Sequence, residues 1–206
     1  LLRLSGGVFV GVGASDYYFL PDGTRKLLAY LGAHPSTDAV FGDYLVVGNS
    51  GDVIHSSGME SLHRASKRLY LSDAGPARAI ICQWALAGPV ALVRKQTAVA
   101  MGGWDERLRF EDWDFFLRVA ATGRLAFIDT PVCGYRVHQT NTSRVTDPAI
   151  RIRNQEEARR VAQRNVERFR GPNQRLLAAQ CKLVDAKIAY LKRQPLSLAR
   201  HLMGFA

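Results

Sequence analysis

Cysteine is scarce in this sequence. Only Cys82, Cys133 and Cys181 occur among 206 residues, far apart and odd in number. No CxxC pair exists, which excludes a disulfide framework and a cysteine-ligated zinc site, and a reducing, cytosolic setting is expected. Long hydrophobic runs are missing too. The uncharged stretch 79–93 is broken by Gly88-Pro89 and is too short for a bilayer, which takes roughly 20 apolar residues. No internal repeat is visible, so a solenoid is excluded. A dinucleotide fingerprint also fails: after Gly11-Val12-Gly13, the third glycine position is Asp16.

What is present is globular in kind. Apolar residues make up 47% and charged residues 22%, which rules out wholesale disorder. The net charge of +10 points to an anionic partner: nucleic acid, a phosphate-bearing substrate or acidic lipid. That charge is unevenly placed. From Asp147 onward there are thirteen Lys or Arg against five Asp or Glu, whereas residues 1–146 hold fifteen against thirteen. Two regions are therefore expected, 1–146 and a basic tail 147–206.

The apolar run Val8–Val12 reads as a fully buried strand of a parallel sheet. Asp22 begins a helix with Leu27, Leu28 and Leu31 on one face, and Ala39–Val47 is the next strand, followed by a turn and Val53-Ile54. Residues 56–78 are polar and basic and read as a mobile loop with a helical stretch, Met59–Leu71. Strand Val90–Val93, a short helix Lys95–Met101 and a helix Asp112–Thr122 capped by Gly123 follow. Two further strands are expected at Leu125–Ile128 and Val132–Val137. Beyond Asp147-Pro148 the pattern is helical only, in two segments separated by Gly171-Pro172.

Three places offer chemistry. Asp16 follows a strand, where open α/β sheets bind ligands; a carboxylate there holds a divalent metal or simply caps a turn. Five acids crowd Asp105-Glu106 and Glu111-Asp112-Trp113-Asp114. Asp112 is either an N-cap or, with a raised pKa, a general base. His138, after a strand, is a metal ligand or a surface histidine.

The stretches SDYYFLP, GGWDERLRFEDWDFFLR and YRVHQTNTS, in this order, resemble the inverting family 2 glycosyltransferases with the GT-A fold. The resemblance covers about residues 4 to 144. It implies an α/β fold: a partial, Rossmann-like mixed sheet with flanking helices, followed by a C-terminal helical hairpin. It also implies a metal-assisted transfer of sugar from a nucleotide-diphosphate sugar to an acceptor hydroxyl, in polysaccharide or glycan synthesis. By position, Asp16 matches the acid that ligates Mg²⁺ or Mn²⁺, with Ser15 beside it on the donor, and His138 matches the histidine completing that site. Asp112 matches the catalytic base, with Glu111 next to it. Trp104, Asp105 and Glu106 match the acceptor-lining segment, and Trp104 is open to either acceptor contact or burial. Asp16 and Asp112 are expected beyond different strand ends, on opposite sides of the reaction.

The pattern has departures. Ala14 stands where the family has its first acid, and Tyr17 where it has its last. These leave a second reading open, a catalytically degenerate relative that binds saccharides or regulates a partner. Family members also carry about 80–100 residues before this point, so the chain is expected to be the C-terminal part of a catalytic domain without its nucleotide-base strands, and inactive alone. The arginines Arg151, Arg153, Arg159, Arg160, Arg164 and Arg168 with an apolar stripe suit contact with an anionic inner leaflet, where a lipid-linked acceptor would be met. That would make the protein cytoplasmic or peripheral on the inner face of the membrane. Nucleic acid ranks last, since charge alone is non-specific. Asn141-Thr142-Ser143 is a glycosylation sequon without a secretory signal beside it.

Overall fold

Strand β3, Ala39–Val47, is buried along nearly its whole length and, Asp43 apart, has the apolar pattern of a central strand; it is the axis of a six-stranded mixed sheet. The computed structural model describes residues 2–13, 15–86, 90–138 and 147–194. In chain order the elements up to β6 are β1 (Phe9–Val10), β2 (Tyr17–Phe19), α1 (Gly23–Ala33), β3, β4 (Val53–His55), α2 (Gly58–His63), α3 (Lys67–Tyr70), α4 (Gly75–Cys82), β5 (Ala91–Arg94), α5 (Lys95–Ala100), α6 (Glu111–Ala120) and β6 (Leu125–Arg136). The sheet order is β1-β5-β3-β6-β2, with β4 also on β3. Strand β3 runs parallel to β6 and antiparallel to β5 and β4.

The chain divides into two compact units. One comprises Leu1–Gly103 and Phe115–Gln139; the other comprises Trp104–Asp114 and Thr140–Ala206. In the first, α1 buries Leu27 and Leu31 and leaves Leu28 out. Each buried leucine contributes about 2 kcal/mol. The helix lies so close to the sheet that Gly23 has no room for a side chain: a Cβ there would meet the Val132 carbonyl oxygen at 2.1 Å. Gly23→Ala is therefore expected to cost at least about 2 kcal/mol, since neither backbone yields easily; a thermal melt within 2 °C of wild type would refute the close approach. Gly123, at φ +73°, closes α6 in the left-handed conformation that stops a helix.

Three expectations change. Val8–Val12 is not a fully buried parallel strand. Only Phe9–Val10 pairs, antiparallel to β5 at the sheet edge, and Val8 is 72% exposed. An apolar run cannot announce how many neighbours its strand will have. Residues 56–78 are not a loose loop either. They form α2, α3 and the start of α4, and they bury Met59, Ala65 and Tyr70. Tyr70 meets Phe41 and Phe127 at centroid distances of 5.7 and 5.4 Å, and its hydroxyl donates to the Gln83 carbonyl. Finally, the two strands expected around Pro131 are one strand, β6. Its register against β3 slips on both sides of the Asp43–Pro131 pair. A proline, having no N–H, is tolerated at such a bulge.

The second unit holds α7 (Pro148–Asn165), a 3-10 turn (Val166–Arg168) and α8 (Gly171–Leu191). Asp147 caps α7, accepting from the N–H groups of Ala149 (2.7 Å) and Ile150 (3.3 Å), with Pro148 at the first helical position. Val161, Ala162, Leu177, Val184, Ala186 and Ala189 are buried. Arg159 pairs with Asp185, and Lys192 with Glu156 at 2.7 Å. Among the described residues, no helix is long and apolar enough to cross a membrane.

Candidate active site

In the first unit, strand pairing brings Asp16 and His138 together. Strand β2 runs antiparallel to β6 with Tyr17 opposite Tyr135, and the Arg136 N–H donates to the Asp16 carbonyl at 2.8 Å. The start of one strand thus lies beside the end of the other. His138, two residues beyond β6, places its Nε2 3.4 Å from Asp16 Oδ1. Ser15 Oγ lies at 3.4 Å from the same oxygen, a long contact. Both Asp16 and His138 are partly open to solvent, at 40% and 29%. Among the described residues no three or more His, Cys, Asp or Glu are grouped so that they could hold a metal ion. The pair offers one oxygen and one nitrogen donor, and a hexacoordinate cation would take its remaining ligands from phosphate and water. Tyr17 stacks on Tyr135 with centroids 4.6 Å apart and so belongs to the sheet's packing. Ala14 and the stretch 139–146, including the sequon, lie outside the described residues.

The second unit gathers the acids. Asp112 is not beyond a strand end: it is the second residue of α6, within a helix first turn rich in acid. Its carboxylate accepts from the Trp113 N–H at 2.6 Å. Burial pushes its pKa from 3.8 up to about 6, the neighbouring charge of Glu111 pushes the same way, and backbone N–H donors oppose them. A carboxylate so placed is ionised at neutral pH yet basic enough to take a proton. Glu111 is half-buried and Glu106 exposed, while Trp104 is half-buried and Trp113 is in the core. Asp105 is heavily engaged. Arg107 reaches it through Nε (2.8 Å) and Nη2 (3.0 Å), and Arg164 through Nη1 (3.0 Å). Those two guanidinium groups hold its carboxyl well below the usual carboxylate range.

Sequence reasoning passed over several basic residues. Arg118, buried in α6, donates to the carbonyls of Met101 and Gly103 and lies over the Phe115 ring at 5.3 Å. It thereby closes the end of α5 and the glycine turn that follows. Its place at the end of EDWDFFLR was the available signal. Lys67 sits between Asp43 and Asp129, at 2.8 Å from each. Nothing local in the sequence announces that triad.

No protein-family description and no curated protein sequence matches this chain. A solved structure does. The mannosyltransferase PcManGT from Pyrobaculum calidifontis, in complex with GDP-Man and Mn²⁺, superposes with a TM-score of 0.59 over 98% of this chain, at 16% sequence identity. This chain has a glycosyltransferase-like fold. It spans about half the length of that mannosyltransferase, 51%. The glycosyltransferase-like fold is a mixed α/β sheet with flanking helices, and Asp16 and His138 lie where two of its strands, β2 and β6, begin and end.

Proposed function

We propose that this chain belongs to the catalytic part of an inverting, metal-assisted glycosyltransferase of the family 2, GT-A type, using a nucleotide-diphosphate sugar as donor. The observation that carries the reading is the Asp16–His138 pair, produced by strand pairing from two motifs 122 residues apart. The fold likeness to a structure holding GDP-Man and Mn²⁺ supports it. The donor set fits a hard divalent cation completed by substrate phosphates.

Asp16 and His138 would hold Mg²⁺ or Mn²⁺, with Ser15 beside the donor. The metal, when bound, offsets charge on the departing nucleoside diphosphate. Asp112 takes the proton of the acceptor hydroxyl, with burial, helped by the charge of Glu111, keeping its pKa high, and the freed oxygen attacks the anomeric carbon with inversion. Trp104 offers a face for the acceptor sugar, and Glu106 an exposed carboxylate for its hydroxyls. Any acceptor contact by Asp105 competes with its two arginines.

The test is turnover of a nucleotide-sugar panel by the full-length protein with Mg²⁺ or Mn²⁺. Asp16→Ala and His138→Ala are each expected to raise the Mn²⁺ concentration for half-activation by at least about 10-fold. Unchanged metal dependence in both would remove the metal assignment. A second reading, a saccharide-binding relative without turnover, is favoured by Tyr17, whose ring is committed to Tyr135 where the family has an acid. Saccharide binding by a wild-type protein that turns over no donor would select it.

A further inference from the structure

We infer that Arg164 and Asn165, at the end of α7, are positioning residues that hold segment 104–114, and with it Asp112, in place. The inference rests on the reading of Asp112 as the base and extends it to the basic tail.

Segment 104–114 has little regular structure of its own before α6 begins. Its local hydrogen bonds include Arg107 N–H to Asp105 Oδ1 (3.3 Å), the Arg107 guanidinium to the Asp105 carboxylate (2.8 and 3.0 Å), Leu108 N–H to the Asp105 carbonyl (2.9 Å), Trp113 N–H to Asp112 Oδ1 (2.6 Å) and Asp114 N–H to the Phe110 carbonyl (3.1 Å), each between residues at most four apart. A guanidinium from another helix ties its two ends together. Arg164 Nη1 donates to Asp105 Oδ2 at 3.0 Å, and its Nε lies 3.3 Å from Asp114 Oδ1. One planar fork thus spans two carboxylates nine residues apart, which a point-charge ammonium does poorly. Asn165 adds a second tie. Its Nδ2 donates to Asp114 Oδ1 at 2.8 Å and to the Val161 carbonyl at 2.9 Å, so the amide is held by its own helix.

Burial separates this cluster from an ordinary surface pair. Exposed ion pairs contribute little. Here the Asp114 side chain is 0% exposed and Asn165 is fully buried, and the Arg164 side chain, itself 38% exposed, reaches in to that buried carboxylate. A buried carboxylate without its donors would have to leave, carrying the first turn of α6 with it. Asp112 lies in that turn, two residues before Asp114. A general base must sit within a fraction of an ångström of its working position, and a misplacement of about 1 Å costs on the order of 100-fold in rate. Part of the tail's positive charge therefore serves to fix the acids.

The experiment uses the full-length protein with Arg164→Ala, Arg164→Lys and Asn165→Ala, read two ways. Hydrogen exchange is followed at the amides of 104–114, and kcat and KM are measured with the donor found active on the wild type. Arg164→Ala is expected to speed exchange at Leu108 and Asp114 by at least about 10-fold. It should lower kcat by about 10- to 100-fold with donor KM within about twofold. Arg164→Lys, able to reach one carboxylate, should recover part of both. Unchanged exchange in 104–114, or faster exchange with wild-type kcat, overturns the inference. A wild type that transfers no sugar would sink the transferase reading instead, and faster exchange in Arg164→Ala would still uphold the clamp.

Discussion

Asp112→Asn is expected to lower kcat by about 1,000-fold and, at neutral pH, to make the protein harder to melt. The first effect follows from general-base catalysis, worth about 10² to 10⁴ in rate, since an amide cannot take the acceptor's proton. The second follows from the same burial that raises the carboxyl to about 6 from 3.8. The folded pKa lies above the unfolded one, so the folded state binds the proton more tightly. Below about pH 3.8 both states are protonated and nothing is lost. Between the two values the folded state is progressively penalised, and above about 6 the full cost of a buried charge applies, on the order of 2 kcal/mol. Asparagine removes that charge. Its melting temperature should exceed wild type at pH 7.5 by a few degrees and match it near pH 4. In the wild type, kcat/KM should rise with pH through about 6 and then level. A variant retaining a third of wild-type kcat would end the assignment of Asp112 as base.

Lys67→Met should be the most destabilising single change to a polar side chain. The Asp43 side chain is wholly buried on the central strand. Its Oδ1 accepts the N–H groups of Tyr44 (2.7 Å) and Met59 (3.2 Å), and its Oδ2 meets Lys67 at 2.8 Å. The same ammonium reaches Asp129 at 2.8 Å, in the bulged part of β6. Burial alone would lower the Lys67 pKa, but the bonds to Asp129 and Asp43 raise it, so the group stays charged. Methionine keeps the stem and deletes the charge, leaving a buried carboxylate uncompensated. Such losses cost about 3 to 5 kcal/mol, and a fall in melting temperature on the order of 10 °C is expected. Adding Asp43→Asn should restore more than half of it, because the stranded charge is then gone. A Lys67→Met melt within 2 °C of wild type, by circular dichroism, would show that the triad is not holding α3 to the sheet.

The elements legible in the sequence are those whose pattern is local. Ala39–Val47 reads as a buried strand because, Asp43 apart, its residues are apolar, aromatic or small, and the structure has the same bounds. The leucines of α1, the aromatic face of α6 and the helical switch after Asp147-Pro148 are likewise written at short range. Residues 56–78 misled because their buried members, Met59, Ala65 and Tyr70, are sparse among exposed charges. Burial there depends on what the sheet presents opposite, Phe41 and Phe127 among it. The edge position of β1 and the unbroken run of β6 through Pro131 depend on partners too.

The site divides the same way. By itself the sequence determined the residue types available for chemistry: one acid at Asp16, a histidine at 138, an acid-rich helix start at 111–114, and a tail carrying most of the net positive charge. Only the tertiary structure decided which of them meet. Antiparallel pairing of β2 with β6 put His138 beside Asp16, burial raised Asp112, and Arg164 closed on Asp105 and Asp114. Propensity and periodicity act over a few residues, whereas ion pairs and desolvation act between groups that the chain keeps tens of residues apart until it folds.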